Sequence, residues 1–185
     1  MPHLPSLTKD STLIDVYKKH PAVAHATLAL NDAIMRGDAP FTEAQREAIA
    51  AYVSSINTCR YCMGVHSSAA TGLGMDAGEV AAVCERPEAP DDPRLAPVLR
   101  YVANLTTEPA SVTEADAKRI LDAGWDEAAV SYAAFVAALY ALMNRMVEGH
   151  GIKGDPVQLA KNGRRLAEIG YTGLAAILAE QDASG

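Results

Sequence analysis

Aromatic residues are scarce in this chain and make up 5% of its 185 residues. Because aromatic side chains favour β-strands, their scarcity argues against a sheet protein. No stretch sustains the alternation of apolar and polar residues that is typical of strands. Alanine, the strongest helix former, occurs 35 times instead. The composition therefore predicts an all-α fold.

Runs of lysine or arginine are also missing from the sequence. The chain has 16 basic and 23 acidic residues, which gives a formal net charge of −7. An acidic protein repels the phosphate backbone of nucleic acids. We therefore expect no nucleic-acid partner.

Features of secretion and membrane insertion are lacking as well. Three cysteines are too few for a secreted disulfide scaffold, and residues 1–10 have no apolar run typical of a signal peptide. The longest uncharged stretch, residues 128–144, is too short and too mildly apolar for a membrane span and predicts a buried core helix. We expect a cytoplasmic protein without a membrane partner.

Short breaks rather than a long linker divide the chain, so we expect a single domain over residues 1–185.

Thr42 lies three residues before Gln45, which is the spacing of a capping box. Residues 41–44 and 112–115 are similar and each opens a helical stretch, so a duplicated helical unit is one interpretation. Helices are predicted over residues 11–35, with an interruption or a new start at Pro21, and over residues 42–56, 58–73, 75–84, 95–105, 113–123, 126–147 and 156–180.

Two cysteines and a histidine form the most informative cluster. On a helix, Cys59, Cys62 and His66 fall within an arc of about 60°, and Cys62 and His66 are neighbours at i and i+4. Both cysteines follow a break at Asn57-Thr58, near a predicted helix N-terminus whose free amides favour a thiolate. A nucleophilic thiol, a second thiol and a nearby base are what a two-cysteine redox site requires.

Glu47 precedes this cluster on the preceding predicted helix. The break at Asn57-Thr58 allows that helix to fold back against the one that carries the cysteines. We therefore expect Glu47 to reach the cysteine pair from the side, either as an acid or base or through a water molecule.

These residues carry a resemblance to a known family. Glu47, Cys59, Cys62 and His66 match the Glu-x11-Cys-x2-Cys-x3-His pattern of AhpD-like alkylhydroperoxidases, within the carboxymuconolactone decarboxylase superfamily. Asn144-Arg145 resembles the Asn-Arg pair of the superfamily's "peroxidase-related" branch, so the resemblance covers a core motif region of about 41–151. It implies an AhpD-like helical bundle that assembles into trimers or hexamers.

The resemblance also implies an activity, which is the thiol-dependent reduction of organic hydroperoxides or hydrogen peroxide without metal, haem or flavin. Cys62 would attack the peroxide, Cys59 would resolve the sulfenic acid as a disulfide, His66 would activate Cys62, and Glu47 would complete the proton relay. A lipoyl domain or a thioredoxin-type protein would return the pair to the dithiol. Tyr61 departs from the pattern because the best-known members carry a histidine there, and tyrosine is a poor base at neutral pH.

The residues leave open which cysteine attacks. In thioredoxin-like Cys-x-x-Cys sites the first cysteine has the lowered pKa, which favours Cys59. We prefer Cys62 because it alone has His66 one helical turn away.

Other functions fit the same cluster. Cys59, Cys62 and His66 are three of the four ligands that a structural zinc ion usually takes, and buried thiols are often inert core residues. A decarboxylase or lactone-processing enzyme of the same superfamily would need a proton shuttle but no thiols. A redox sensor would use the disulfide to change a surface that a partner binds.

For residues outside the cluster, the sequence gives less specific indications of a role. Tyr61 is a candidate pocket wall, and Arg145 is a candidate for binding an anionic substrate or for tying helices together. Cys84 has no partner pattern and is interpreted as a structural or incidental thiol. The apolar face of the longest helix, residues 132–146, exceeds what one small domain needs, so we expect a homo-oligomer.

Overall fold

The predicted all-α fold is confirmed. A computed structural model of the protein describes residues 2–88 and 90–182, and the side chains up to residue 179, and no β-strand occurs in this part of the chain. A short 3-10 turn at Pro109–Ser111 precedes the seventh helix. The helices are α1 (Leu13–Tyr17), α2 (Pro21–Met35), α3 (Glu43–Ile56), α4 (Arg60–Gly72), α5 (Ala77–Glu85), α6 (Leu95–Thr107), α7 (Glu114–Asp122), α8 (Glu127–Gly149) and α9 (Pro156–Asp182).

Capping residues begin several helices where the sequence predicts a start. Pro21 begins α2 rather than interrupting a longer helix. Thr42 and Gln45 form the predicted capping box of α3, and Thr113 forms another with Asp116 at α7. The similarity between residues 41–44 and 112–115 therefore reflects at least a shared way of starting a helix.

The longest uncharged stretch belongs to α8, which runs for 23 residues. The predicted helix over residues 126–147 agrees with α8 to within two residues at each end, and α8 is longer than the uncharged stretch because it continues through Arg145 to Gly149. By length and composition alone, α8 is the one described helix that could cross a membrane. One of its faces nevertheless packs into the core through residues such as Val136 and Tyr140.

The helix that carries the cysteine pair lies between two others. α4 packs mainly against α3 and α9, and α8 packs against α3 and α6. The contact of α4 with α9 is close enough to require glycine, because a Cβ atom on Gly163 would lie 2.2 Å from the carbonyl oxygen of Val65. α3, α4, α8 and α9 therefore converge on one buried region.

A break inside α9 brings one further side chain to that region. Gly170 has a φ of 62°, a left-handed conformation that interrupts the helix and that L-residues other than glycine adopt at a cost. Tyr171 follows directly and is buried. The break settles the prediction of one or two closing helices in favour of two helical segments joined at Gly170.

Candidate functional site

The turn between α3 and α4 positions both cysteines. Thr58 has a φ of 56°, which is strained for a β-branched residue. Cys59 follows as the N-cap of α4, and its backbone N–H donates to the carbonyl of Ser54 at 2.9 Å. Cys62 then lies in the first helical turn. Cys59 is fully buried and Cys62 is 4% exposed, and both are free thiols.

Asn144 of α8 ties this turn to the rest of the bundle. Its Oδ1 accepts a hydrogen bond from Asn57 Nδ2 at 2.9 Å, and its Nδ2 donates to Ser54 Oγ at 2.9 Å. Asn144 also acts to lower the pKa of the Cys62 thiol, although other effects on that thiol are larger. The Asn144 side chain, 3% exposed, therefore braces the backbone that presents the cysteines.

The two thiols interact directly and differ in acidity. Hydrogen bonds from the Cys62 thiol and the Cys62 backbone N–H hold the pKa of Cys59 below its ordinary value, against the effect of burial. The hydrogen bond to Cys59 and burial together raise the pKa of Cys62 well above its ordinary value. Acidity alone therefore favours Cys59, as the comparison with thioredoxin-like sites does, whereas the preference for Cys62 depends on its neighbour His66.

Glu47 bonds to His66 rather than to the cysteines. His66 Nδ1 and Glu47 Oε2 lie 2.5 Å apart, and both side chains are buried. A carboxylate at Nδ1 selects the tautomer with its proton on that nitrogen, which leaves Nε2 able to accept a proton. Glu47 therefore orients His66, as the acidic member of a catalytic triad orients its histidine.

Two tyrosines close a ring of hydrogen bonds with this pair. The Tyr140 hydroxyl lies 3.3 Å from His66 Nδ1 and 2.8 Å from the Tyr171 hydroxyl, and Tyr171 donates to Glu47 Oε1 at 3.5 Å. Burial is the largest cause that raises the pKa of both phenols well above 10.0, so both remain protonated. Sequence reasoning missed both tyrosines, since neither belongs to a local motif.

Arg36 completes the surroundings of Glu47. Its guanidinium binds Glu47 Oε1 at 2.7 Å and lies over the Tyr171 ring at 5.1 Å from the centroid. Burial alone would raise the pKa of Glu47, but the charges and hydrogen bonds of His66 and Arg36 outweigh it and hold that pKa below 4.5. Sequence reasoning missed Arg36 as well, because a single arginine after a helix has no distinguishing spacing.

A mainly apolar cavity of about 210 Å³ opens next to the pair. Cys62 and His66 lie on its wall, whereas Cys59 does not. Tyr61 also lines the cavity, and its hydroxyl accepts a hydrogen bond from Asn162 Nδ2 at 3.3 Å. The aliphatic and aromatic walls include Leu13, Ile14, Leu28, Val65, Met143 and Leu166.

Two other predicted residues lie away from this group. Arg145 is exposed, does not line the cavity, and donates to the carbonyl of Ala141 at 2.7 Å. Cys84 is on α5, and burial raises the pKa of its thiol to about 11. As for zinc, no group of three histidine, cysteine, aspartate or glutamate side chains able to hold a metal ion occurs in the described part of the chain.

Comparisons with known proteins agree with this arrangement. The sequence pattern of the carboxymuconolactone decarboxylase family matches residues 21–108, a segment that contains Glu47, Cys59, Cys62 and His66. An uncharacterised peroxidase-related protein from Silicibacter sp. TM1040 is similar in structure, with a TM-score of 0.74 and 25% sequence identity over 82% of this chain and 80% of that one. The family match and the structural likeness support placing this chain in the AhpD-like carboxymuconolactone decarboxylase superfamily.

A second structure supports the assignment to the carboxymuconolactone decarboxylase superfamily. It is the alkylhydroperoxidase AhpD core of an uncharacterised peroxidase-related protein from Ralstonia eutropha JMP134, with a TM-score of 0.68 and 25% identity over 80% of this chain and 78% of that one. No curated protein matches the sequence significantly. The family match and the two structures support a peroxidase-related or carboxymuconolactone-decarboxylase-type function.

The family match and the predicted motif region have different limits. The match begins at Pro21, earlier than the predicted start near residue 41, and ends at residue 108 rather than near 151. It includes α2 and Arg36, which contacts Glu47. It leaves out α8, so Asn144 and Tyr140 are assigned to the site by their contacts alone.

Proposed function

We propose that the protein is a thiol-dependent, peroxidase-like oxidoreductase that reduces organic hydroperoxides or hydrogen peroxide. The proposal depends on one observation above all, which is that Cys62 and His66 share the wall of the cavity while Cys59 lies behind Cys62. A peroxide that enters the cavity meets a sulfur and a proton acceptor together. The second thiol is already within hydrogen-bonding reach of the first.

Cavity access favours Cys62 as the attacking residue and thiol acidity favours Cys59. Access to the peroxide is the stricter requirement. Cys59 is the more acidic thiol, but it is fully buried and does not line the cavity. Attack on an O–O bond requires contact between sulfur and oxygen, whereas a proton moves readily along a hydrogen bond between two thiols. Cys62 is therefore assigned as the attacking residue, and its proton passes to His66 or to Cys59 as it reacts.

The first step oxidises Cys62. Its sulfur attacks the terminal oxygen of the hydroperoxide, the O–O bond breaks, and Cys62 becomes a sulfenic acid. The alkoxide leaving group takes a proton from the His66 imidazolium and departs as an alcohol. Glu47 and Arg36 hold the imidazole and the charge balance fixed while this proton moves.

The second step forms the disulfide and prepares the next turnover. Cys59 attacks the sulfenic acid, water leaves, and a Cys59–Cys62 disulfide forms. A dithiol reductant such as a lipoyl or thioredoxin-type protein then reduces the disulfide by thiol exchange. This chemistry draws its electrons from the dithiol and is assigned no metal or organic cofactor.

Steady-state turnover tests the proposal. The purified protein is given cumene hydroperoxide and dihydrolipoamide, and alcohol formation is measured. We expect the wild type to turn over, and Cys62→Ser and Cys59→Ser each to lose at least about 100-fold in rate, because serine cannot form the disulfide. Cys84→Ser is the matched control and should retain full activity, because Cys84 lies on α5 away from the pair.

A lyase of the carboxymuconolactone decarboxylase type is the second candidate. The His66–Glu47 pair beside an apolar cavity is able to move a proton to or from a substrate without help from a thiol. Full activity on a lactone or a β-keto acid with both cysteines replaced by serine would favour this function. Rapid oxidation of the pair without multiple turnovers, whichever dithiol is supplied, would instead favour a redox sensor.

A further inference from the structure

Glu148 places a carboxylate beside Cys59. It lies in the last turn of α8, directly after Val147, and Val147 and Ile152 pack with Cys59 in one buried cluster. The charge of Glu148 acts to raise the pKa of the Cys59 thiol. Lys153 binds Oε2, but Oε1 is buried and has no hydrogen-bond partner among the residues that the structure describes. A buried carboxylate oxygen without a donor costs free energy, so its position against a thiol requires an explanation.

The proposed reaction has a proton transfer that His66 is poorly placed to perform. The Glu47–His66 pair serves the cavity side of the site, where Cys62 lines the wall. Cys59 lies behind Cys62 and outside the cavity. Disulfide closure requires Cys59 to lose its proton there, and Glu148 is the carboxylate on that side.

We propose that Glu148 is the general base for Cys59 in disulfide closure, a role that rests on the proposed function. Glu148 accepts the thiol proton as Cys59 Sγ attacks Cys62 Sγ of the sulfenic acid. The S–S bond forms and the S–O bond breaks, so that the two sulfurs share the oxidation. The oxygen leaves as hydroxide and takes the proton back from Glu148, which releases water and restores the carboxylate.

Glu148 is suited to accept the proton of Cys59 rather than to stabilise a resting Cys59 thiolate. The negative charge of Glu148 works against a resting thiolate at Cys59, so its contribution lies in accepting a proton at the moment of attack. Lys153 is the cation on the carboxylate, and Cys62 is the titratable group that faces it from α4. In the opposite direction, a reductant thiol loses its proton as it attacks Cys62, and Glu148 passes that proton to the departing Cys59 sulfur.

Single-turnover kinetics tests this role directly. Reduced protein carrying Cys84→Ser is mixed with cumene hydroperoxide, quenched at intervals, and analysed by mass spectrometry with a sulfenic acid trap. We expect Glu148→Gln to form the Cys62 sulfenic acid at the wild-type rate and to close the disulfide at least about tenfold more slowly. Its closure rate should also rise more steeply with pH than that of the wild type, because Cys59 must then ionise unaided.

Glu127→Gln is the matched control, since it removes an exposed carboxylate from the opposite end of the same helix. It should close the disulfide at the wild-type rate. The inference is overturned if Glu148→Gln closes as fast as the wild type, or if both steps slow equally, which would indicate a general structural role.

Failure of the proposed function gives a different result. If the wild type forms no sulfenic acid, the peroxidase proposal fails, and Glu148 is then tested by exchange of the oxidised pair with dithiothreitol. A slower release of Cys59 in Glu148→Gln still supports its role as the proton donor and acceptor of Cys59. Equal exchange rates would overturn that role independently of the peroxidase chemistry.

Discussion

Glu47 is a fully buried carboxylate between two basic side chains. Arg36 binds one oxygen and His66 the other. These contacts hold the folded-state pKa of Glu47 below 4.5, even though burial alone would raise it. The ionised carboxylate therefore stabilises the folded protein above pH 4.5, and this contribution is lost as the pH falls through the lowered pKa.

Replacing this carboxylate gives the first prediction for stability. Glu47→Gln removes the buried carboxylate that Arg36 and His66 both bind, so we expect it to lower the free energy of unfolding at pH 7 by about 3 kcal/mol. The difference from the wild type should narrow below about pH 4.5, because the unfolded chain then takes up a proton at Glu47 while the lowered pKa keeps the folded carboxylate ionised. Urea unfolding at pH 7 and pH 3 measures both effects.

Glu43→Gln is a matched control for this prediction. Glu43 also pairs with Arg36, at 3.4 Å, but its side chain is 40% exposed. We expect a loss below about 1 kcal/mol at pH 7, as for other exposed ion pairs. Equal losses for the two variants, or a loss in Glu47→Gln that does not depend on pH, would contradict the account of Glu47.

At the scale of elements, the site depends on how closely α9 approaches α4. At Gly163 the two helices are so close that any Cβ would meet the Val65 carbonyl and the Ser68 side chain. Val65 and Ser68 flank His66 on α4. The distance between these helices therefore helps to set where the imidazole lies relative to Tyr171 on α9.

A single methyl group tests this packing. We expect Gly163→Ala to lower the free energy of unfolding by about 1–3 kcal/mol, because backbone atoms must shift to admit the new Cβ. Gly149→Ala is the control, since nothing lies within 4 Å of a Cβ at that position, and it should change stability by less than about 1 kcal/mol. Thermal or urea unfolding measures the stability of both variants. Equal stability of Gly163→Ala and the wild type would show that α9 shifts without cost to admit the Cβ.

At the scale of the whole molecule, α2 and α8 expose large apolar side chains. Val23 and Leu30 on α2 are 52% and 46% exposed, and Phe135 and Leu142 on α8 are 50% and 44% exposed. Each pair is spaced seven residues apart, so its members lie on one face of their helix, and the two helices are in contact. We propose that these side chains form the contact of a homo-oligomer, such as a trimer or hexamer.

Light scattering after size-exclusion chromatography measures the assembly. We expect the wild type to elute at a multiple of 19.5 kDa, and Phe135→Glu combined with Leu142→Glu to shift the mass toward the monomer. Val157→Glu, at a position on α9 that is 77% exposed, should leave the mass unchanged. A wild type that is monomeric at micromolar concentration would refute the proposed contact.

The sequence by itself determined most of the helices and one half of the site. Helix starts at Thr42 and Pro21 depend on residues within a few positions of each other, and so does the placement of Cys59, Cys62 and His66 around one helix N-terminus. Such local interactions are encoded in short spacings, which a sequence displays directly.

Only the tertiary structure decided which groups surround those three residues. Arg36 directly follows α2, Tyr140 is on α8 and Tyr171 is on the second part of α9. The folded core brings them to Glu47 and His66 from up to 124 positions away along the chain. The structure also separated access from acidity, since Cys62 lines the cavity while Cys59 receives the stabilising N–H group. Both outcomes depend on burial and on contacts between helices, which no spacing along the chain encodes.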